Sequence, residues 1–132
     1  MRRVDRVDYL DGMTFCTNEN AAVKGQDGVT MGKFSNIRID DEVVGDFKTY
    51  ALTEHHGIYM HEYGHLYQSR NYGRLYMYYI GSQSLNSASN HDDHKHKWYE
   101  IDASYYGKRH FTRKYGDAVW TEDVEKYHPT HK

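Results

Sequence analysis

The run HEYGH, His61 to His65, sets two histidines four residues apart with a glutamate directly after the first. Two imidazoles at that spacing can serve one ion only on an α-helix, where residues i and i+4 share a face one turn apart. The motif therefore commits the middle of the chain to helix before any other feature is weighed. Glu62 lies about 100° around such a helix from His61. It misses a direct bond to an ion held by the imidazoles but reaches a water beside it. His61 and His65 are thus the expected metal ligands and Glu62 the expected general base. With ten histidines among 132 residues, the motif needs support from its surroundings.

A catalytic zinc takes a third protein ligand. Two sources lie downstream: Glu100 in KWYEIDASYYGKRHF, and the polar-loop histidines His91, His94 and His96. A helix from about Lys97 to Lys114 would put Glu100, Ala103, Ser104, Gly107 and Phe111 on one face. Ala103 and Gly107 are small, so that face can lie close to another helix, as a carboxylate needs in order to reach the ion. Ser104, one turn past Glu100, can accept the Nδ1–H of a ligating histidine. This favours Glu100 and leaves the loop histidines as solvated residues or rim groups. Tyr99, Tyr105 or a loop histidine are the candidates for stabilising a substrate oxyanion.

The remaining sequence points to a single α+β domain over residues 1–132. Hydrophobic residues make up 38%, and fourteen tyrosines supply much of that share. With few Leu, Ile and Val left, the interior is expected to be aromatic and rich in phenol hydrogen bonds. Residues 1–27 read as a mobile arm with at most one short strand near Met13–Thr17. GVTMG and NIRID alternate as strands, with Val29 and Met31, then Ile37 and Ile39, on one face. Val43–Tyr50 reads as a third strand or a loop. Thr53 is the expected N-cap of a helix running to Arg70, with His55 and His56 in its first turn and Gly73 as its stop. Arg74–Ile80 reads as a second helical segment, residues 81–97 as loop, and the tail as a short helical turn before Pro129. Tyr59, Tyr63 and Tyr67 form a stripe opposite His61 that should pack inward.

Net charge is −2 with neutral histidines, which argues against a nucleic-acid partner. Cys16 is alone, so neither an internal disulfide nor a cysteine metal site is expected. MRRVDRVDYLDG has no apolar run, so neither a signal peptide nor membrane insertion is expected, and the compartment stays open.

HEYGHLYQSRNYGRLYMYYIGSQSLNSA, the polar loop and WYEIDASYYGKRHF together resemble a group of zincin-like domains from Bacteroidetes. Several of these sit at the C-termini of Rhs/YD-repeat and related polymorphic-toxin chains, and others are small standalone proteins. The group's run is typically HEYGHYLQSQ, G-x-x-Y-L, I-G-x-x-S and then a helix like E-x-D-A-N-x-x-A-x-x-Y-F. The matching pieces here are His61–Ser69, Gly73–Tyr76, Ile80–Ser84 and Glu100–Phe111. VTMGKFSNIRID is similar, more weakly, to the strands that precede the motif. Ser104 stands where the pattern has Asn, and Gly107 where it has Ala. The resemblance implies a minimal gluzincin-like arrangement: short N-terminal strands, an HExxH helix and a second ligand-bearing helix. One Zn²⁺ would be held by His61, His65 and Glu100, with Glu62 as the catalytic glutamate.

The expected function is a zinc-dependent, metallopeptidase-like hydrolase acting on a peptide or protein substrate. The alternative from another class is a zinc-stabilised binding or structural module without turnover. A chain this short lacks the second subdomain that usually walls a zincin cleft. The arm at residues 1–27 or a partner chain is left to supply that wall.

Overall fold

A computed structural model describes residues 6–17, 28–37, 39, 45–53, 57–76 and 97–131, without the side chains of Val29, Met31 and Arg74. Two tight hairpins begin the fold. Strands β1 (Arg6–Leu10) and β2 (Met13–Thr17) pair antiparallel, Leu10 opposite Met13. Asp11 and Gly12 join them, both at positive φ (50° and 87°). That is the backbone a two-residue primed turn requires, and Asp-Gly is among its preferred pairs. Strands β3 (Gly28–Met31) and β4 (Phe34–Ile37) form the second antiparallel pair across Gly32 and Lys33. β2 and β4 run parallel, giving the order β1-β2-β4-β3. β3 is an edge strand and packs against the helix that carries the motif.

The helices follow, so the architecture is α+β. Helix α1 spans Phe47–Thr53. Asp46 caps it, accepting from the Thr49 N–H and hydroxyl at 3.1 Å each. Helix α2 spans Ile58–Tyr72 and carries HEYGH. A 3₁₀ turn at Gly73–Leu75 follows it. Helix α3 spans Trp98–Tyr115, and helix α4 spans Glu122–Tyr127. No helix among the described residues is long and apolar enough to cross a membrane.

Three expectations change. Residues 6–17 are not a mobile arm: Leu10, Met13 and Phe15 are core residues. Val43–Tyr50 does not end in a strand, because Asp46 starts α1. The helix expected from Thr53 to Arg70 begins at Ile58 instead. Thr53 closes α1, its hydroxyl donating back to the Thr49 carbonyl at 2.6 Å. Gly57, at φ 82°, makes the break. A Cβ on Gly57 would overlap Val124 of α4, so that position must be glycine on two counts. Residues 1–5, 18–27, 54–56 and 77–96 lie outside the described set, and with them His55, His56, His91, His94 and His96.

The core is aromatic, as the composition requires. Phe15, Phe47 and Tyr59 meet with ring centroids 5.0–5.6 Å apart, and Tyr63 meets Phe111 at 5.1 Å. Two of the inward tyrosines bind through their hydroxyls. Tyr59 shares a 3.3 Å hydrogen bond with Thr17, and Tyr63 donates to the Asp11 carbonyl.

Helices α2 and α3 cross at backbone contact. Gly64 faces the Ala103 carbonyl, and Gly107 faces the Met60 carbonyl. A Cβ on either glycine would overlap that oxygen, and a carbonyl inside a helix cannot swing away. Gly64→Ala and Gly107→Ala should therefore each lower unfolding free energy by about 2–3 kcal/mol or more. Gly12→Ala meets open space and should cost only about 1–2 kcal/mol of backbone strain. Urea denaturation of the three variants checks this ranking.

Candidate metal centre

The close crossing decides the site. α2 turns His61 and His65 toward α3, and α3 returns Glu100 between them. His65 Nε2 lies 3.0 Å from Glu100 Oε2, and His61 Nε2 lies 3.7 Å from the same oxygen. The three ligand atoms fall within 4.8 Å of one another. All three residues are buried. Two imidazoles and a carboxylate form a donor set that fits a divalent ion of the zinc type. The group could hold a metal ion.

The histidines are fixed from behind. His61 Nδ1 is 2.7 Å from Ser104 Oγ, the partner expected one turn past Glu100. His65 Nδ1 is 2.7 Å from Gln68 Oε1. The amide of Gln68 has one possible orientation, because its Nε2 donates to the Tyr99 carbonyl at 2.7 Å and to Asp102 at 2.9 Å. Its oxygen must then accept from His65 Nδ1–H, so Nε2 is the nitrogen that faces Glu100. A chain of four groups thus sets one histidine's tautomer.

Glu62 stands beside the trio, its Oε2 3.7 Å from His61 Nε2. The edge strand holds it there. The Thr30 hydroxyl reaches Glu62 Oε1 at 2.8 Å, and Gly28 leaves room for the side chain. A Cβ on Gly28 would lie 2.8 Å from Glu62 Cδ. GVTMG therefore turns Gly28 and Thr30 toward α2. Tyr76 completes this side, its ring 6.4 Å from that of His65. Burial first, then Glu62 and Glu100, push the Tyr76 phenol up, so its O–H stays a donor.

The oxyanion candidates fare unevenly. Tyr99 is buried, packed with Tyr76. Tyr105 is about half exposed, with its ring against Tyr106. The loop histidines are outside the described residues. Sequence reasoning missed His128, whose ring stacks on His61 at 4.7 Å and 22°. It also missed Gln68, although three residues past His65 is a spacing that could have marked it. Thr30 and His128 left no sequence signal, since their place depends on how distant segments pack. The tail that carries His128 is pinned by Glu125. That carboxylate accepts from Trp120 Nε1 at 3.0 Å, Thr130 N at 2.8 Å and the Thr130 hydroxyl at 2.9 Å.

Burial would push the His65 imidazole down, but Glu100, with Glu62 and Gln68 behind it, pulls it up to about 9. Without metal, a proton therefore holds the centre together. No family model matches the chain, and neither the curated proteins nor the solved structures contain a match.

Protein purified without chelator or histidine tag should carry close to one equivalent of metal by mass spectrometry. The His61→Ala/His65→Ala double variant should carry none. In metal-free protein the stabilisation from His65 is complete below its ordinary value of 6.5 and is lost as pH rises through about 9. The denaturation midpoint of chelator-treated protein should fall across that window, and His65→Gln should flatten the fall. A flat wild-type profile would contradict the ion-paired centre.

Proposed function

We propose that this chain is a small zinc-dependent hydrolase of the metallopeptidase type, built on a zincin-like fold. One observation carries the reading: a buried His61–His65–Glu100 trio with a separately held carboxylate, Glu62, at its side. A structural clasp has no use for that second carboxylate, whereas hydrolysis requires a base next to the ion. His61, His65 and Glu100 would hold the zinc ion, which would polarise the substrate carbonyl and acidify a water. Glu62 takes the proton of the attacking water and returns it to the leaving amine. Thr30 and Gly28 keep its carboxylate aimed. His61 and His65 hold their bare nitrogens inward through Ser104 and Gln68. The substrate is a peptide or protein.

His128, in the segment after α4, covers the ring of His61 and so forms part of a wall beside the trio. That cover also favours a second reading, a zinc clasp that fastens α2 to α3 and is closed to solvent. The two differ in whether the ion keeps an exchangeable position.

Glu62→Gln should retain zinc and fold while slowing hydrolysis of a mixed peptide library by about 10²–10⁴-fold. Equal rates for variant and wild type would end the mechanism. Thr30→Val should lower kcat roughly tenfold or more with zinc content unchanged, since one hydrogen bond to a charged group is worth about 1.5–3 kcal/mol. A zinc-loaded protein without turnover, showing four protein ligands and no exchangeable water by X-ray absorption, would establish the clasp.

A further inference from the structure

A second concave site lies along the α2–α3 pair, and none of the trio lines it. Its volume is about 570 Å³, within the range of small-molecule sites. Arg109, Arg113 and Lys114 of α3 supply its charge, and no carboxylate lines it among the described residues. This reverses the sign of the chain as a whole, which is −2. The three cations are not equivalent. Lys114 is engaged by Asp11, which also accepts from His110 Nε2 at 2.8 Å and from the Tyr115 hydroxyl at 3.0 Å. Arg109 and Arg113 form no ion pair among the described residues. They stand four apart, one helical turn, so both guanidinium forks face the same space.

The rest of the lining suits an anion that carries a ring. Tyr67 and Tyr106 are parallel, 5° apart in plane with centroids at 5.6 Å. Tyr67 is held from behind: its hydroxyl shares a 2.7 Å hydrogen bond with His110 Nδ1, and His110 Nε2 in turn lies 2.8 Å from Asp11. Tyr106 accepts from Asn71 Nδ2 at 3.3 Å, which leaves its own proton for a ligand. The groove thus has a fixed aromatic wall, a free phenol donor and two guanidinium groups not used by the fold.

We infer that this groove binds a small phosphate-bearing molecule with a planar ring, gripped by Arg109 and Arg113 and stacked on the Tyr67–Tyr106 wall. The site is separate from the metal trio and does not depend on its chemistry.

The test is calorimetric titration of the full metal-loaded chain with inorganic phosphate and with adenosine monophosphate, each up to about 10 mM. The nucleotide should bind saturably at one site and more tightly than phosphate. Arg109→Gln/Arg113→Gln should weaken it by roughly tenfold or more, and Arg109→Lys/Arg113→Lys should recover only part, having charge without the fork. Metal content and the denaturation midpoint should not change in either variant, since both arginines are exposed. No saturable binding of either probe, or equal affinity in the glutamine variant, would overturn the site. Phosphate binding as tightly as the nucleotide would overturn the role of the aromatic wall.

Discussion

Everything at the centre rests on how closely α2 and α3 approach. Ordinary side chains keep packed helices about 8–10 Å apart. Here Gly64 and Gly107 each present bare backbone to a carbonyl of the other helix. That contact lets the short side chain of Glu100 end between two imidazoles instead of against a hydrophobic spacer. It also places Ser104 within 2.7 Å of His61 and Asp102 within 2.9 Å of Gln68. The position and the orientation of the His61, His65 and Glu100 side chains therefore come from one helix crossing. A change that opened it by one methyl group would disturb both.

Charge balance explains why the centre tolerates burial. Two carboxylates, Glu62 and Glu100, sit with two histidines, and all four side chains are largely withdrawn from solvent. Unpaired charge there is costly. A divalent cation with two neutral imidazoles cancels both carboxylates. Without it, a proton on His65 offsets one of them, which is why that imidazole is pulled so far up. The same accounting separates the roles of the two glutamates. Glu100 lies between the histidines, whereas Glu62 answers to Thr30 on the edge strand and stands to one side.

Tyrosine does the work that branched aliphatics do in other small domains. Tyr59 and Tyr63 fill the space between α2 and the sheet and fasten their hydroxyls to Thr17 and Asp11. Asp11 is the meeting point of the hairpin and α3, since it binds His110, Lys114 and Tyr115 at once. Its carboxyl is held below the usual range: burial works against this, but the bonds from Lys114, His110 and Tyr115 outweigh it. A turn that looked like a polar arm thus becomes an anchor for a 18-residue helix.

Much of this was legible in the chain. HEYGH dictated a helix and a shared face. Helical spacing from Glu100 through Ala103, Ser104 and Gly107 predicted both the close approach and the support behind His61. Tyrosine content predicted a hydrogen-bonded aromatic core. The Asp11–Gly12 and Asp46 signals were also present, but polar composition masked the first and weak apolar periodicity the second. Local sequence determines which faces exist and which residues share them, because backbone geometry is periodic. It does not determine what a face meets. The grip of Thr30 and Gly28 on Glu62, the stacking of His128 on His61, and the break at Gly57 against Val124 all join residues from separate elements, in most cases tens of positions apart. Only tertiary packing decided these, since each depends on the relative placement of whole elements and leaves no periodic trace in the chain.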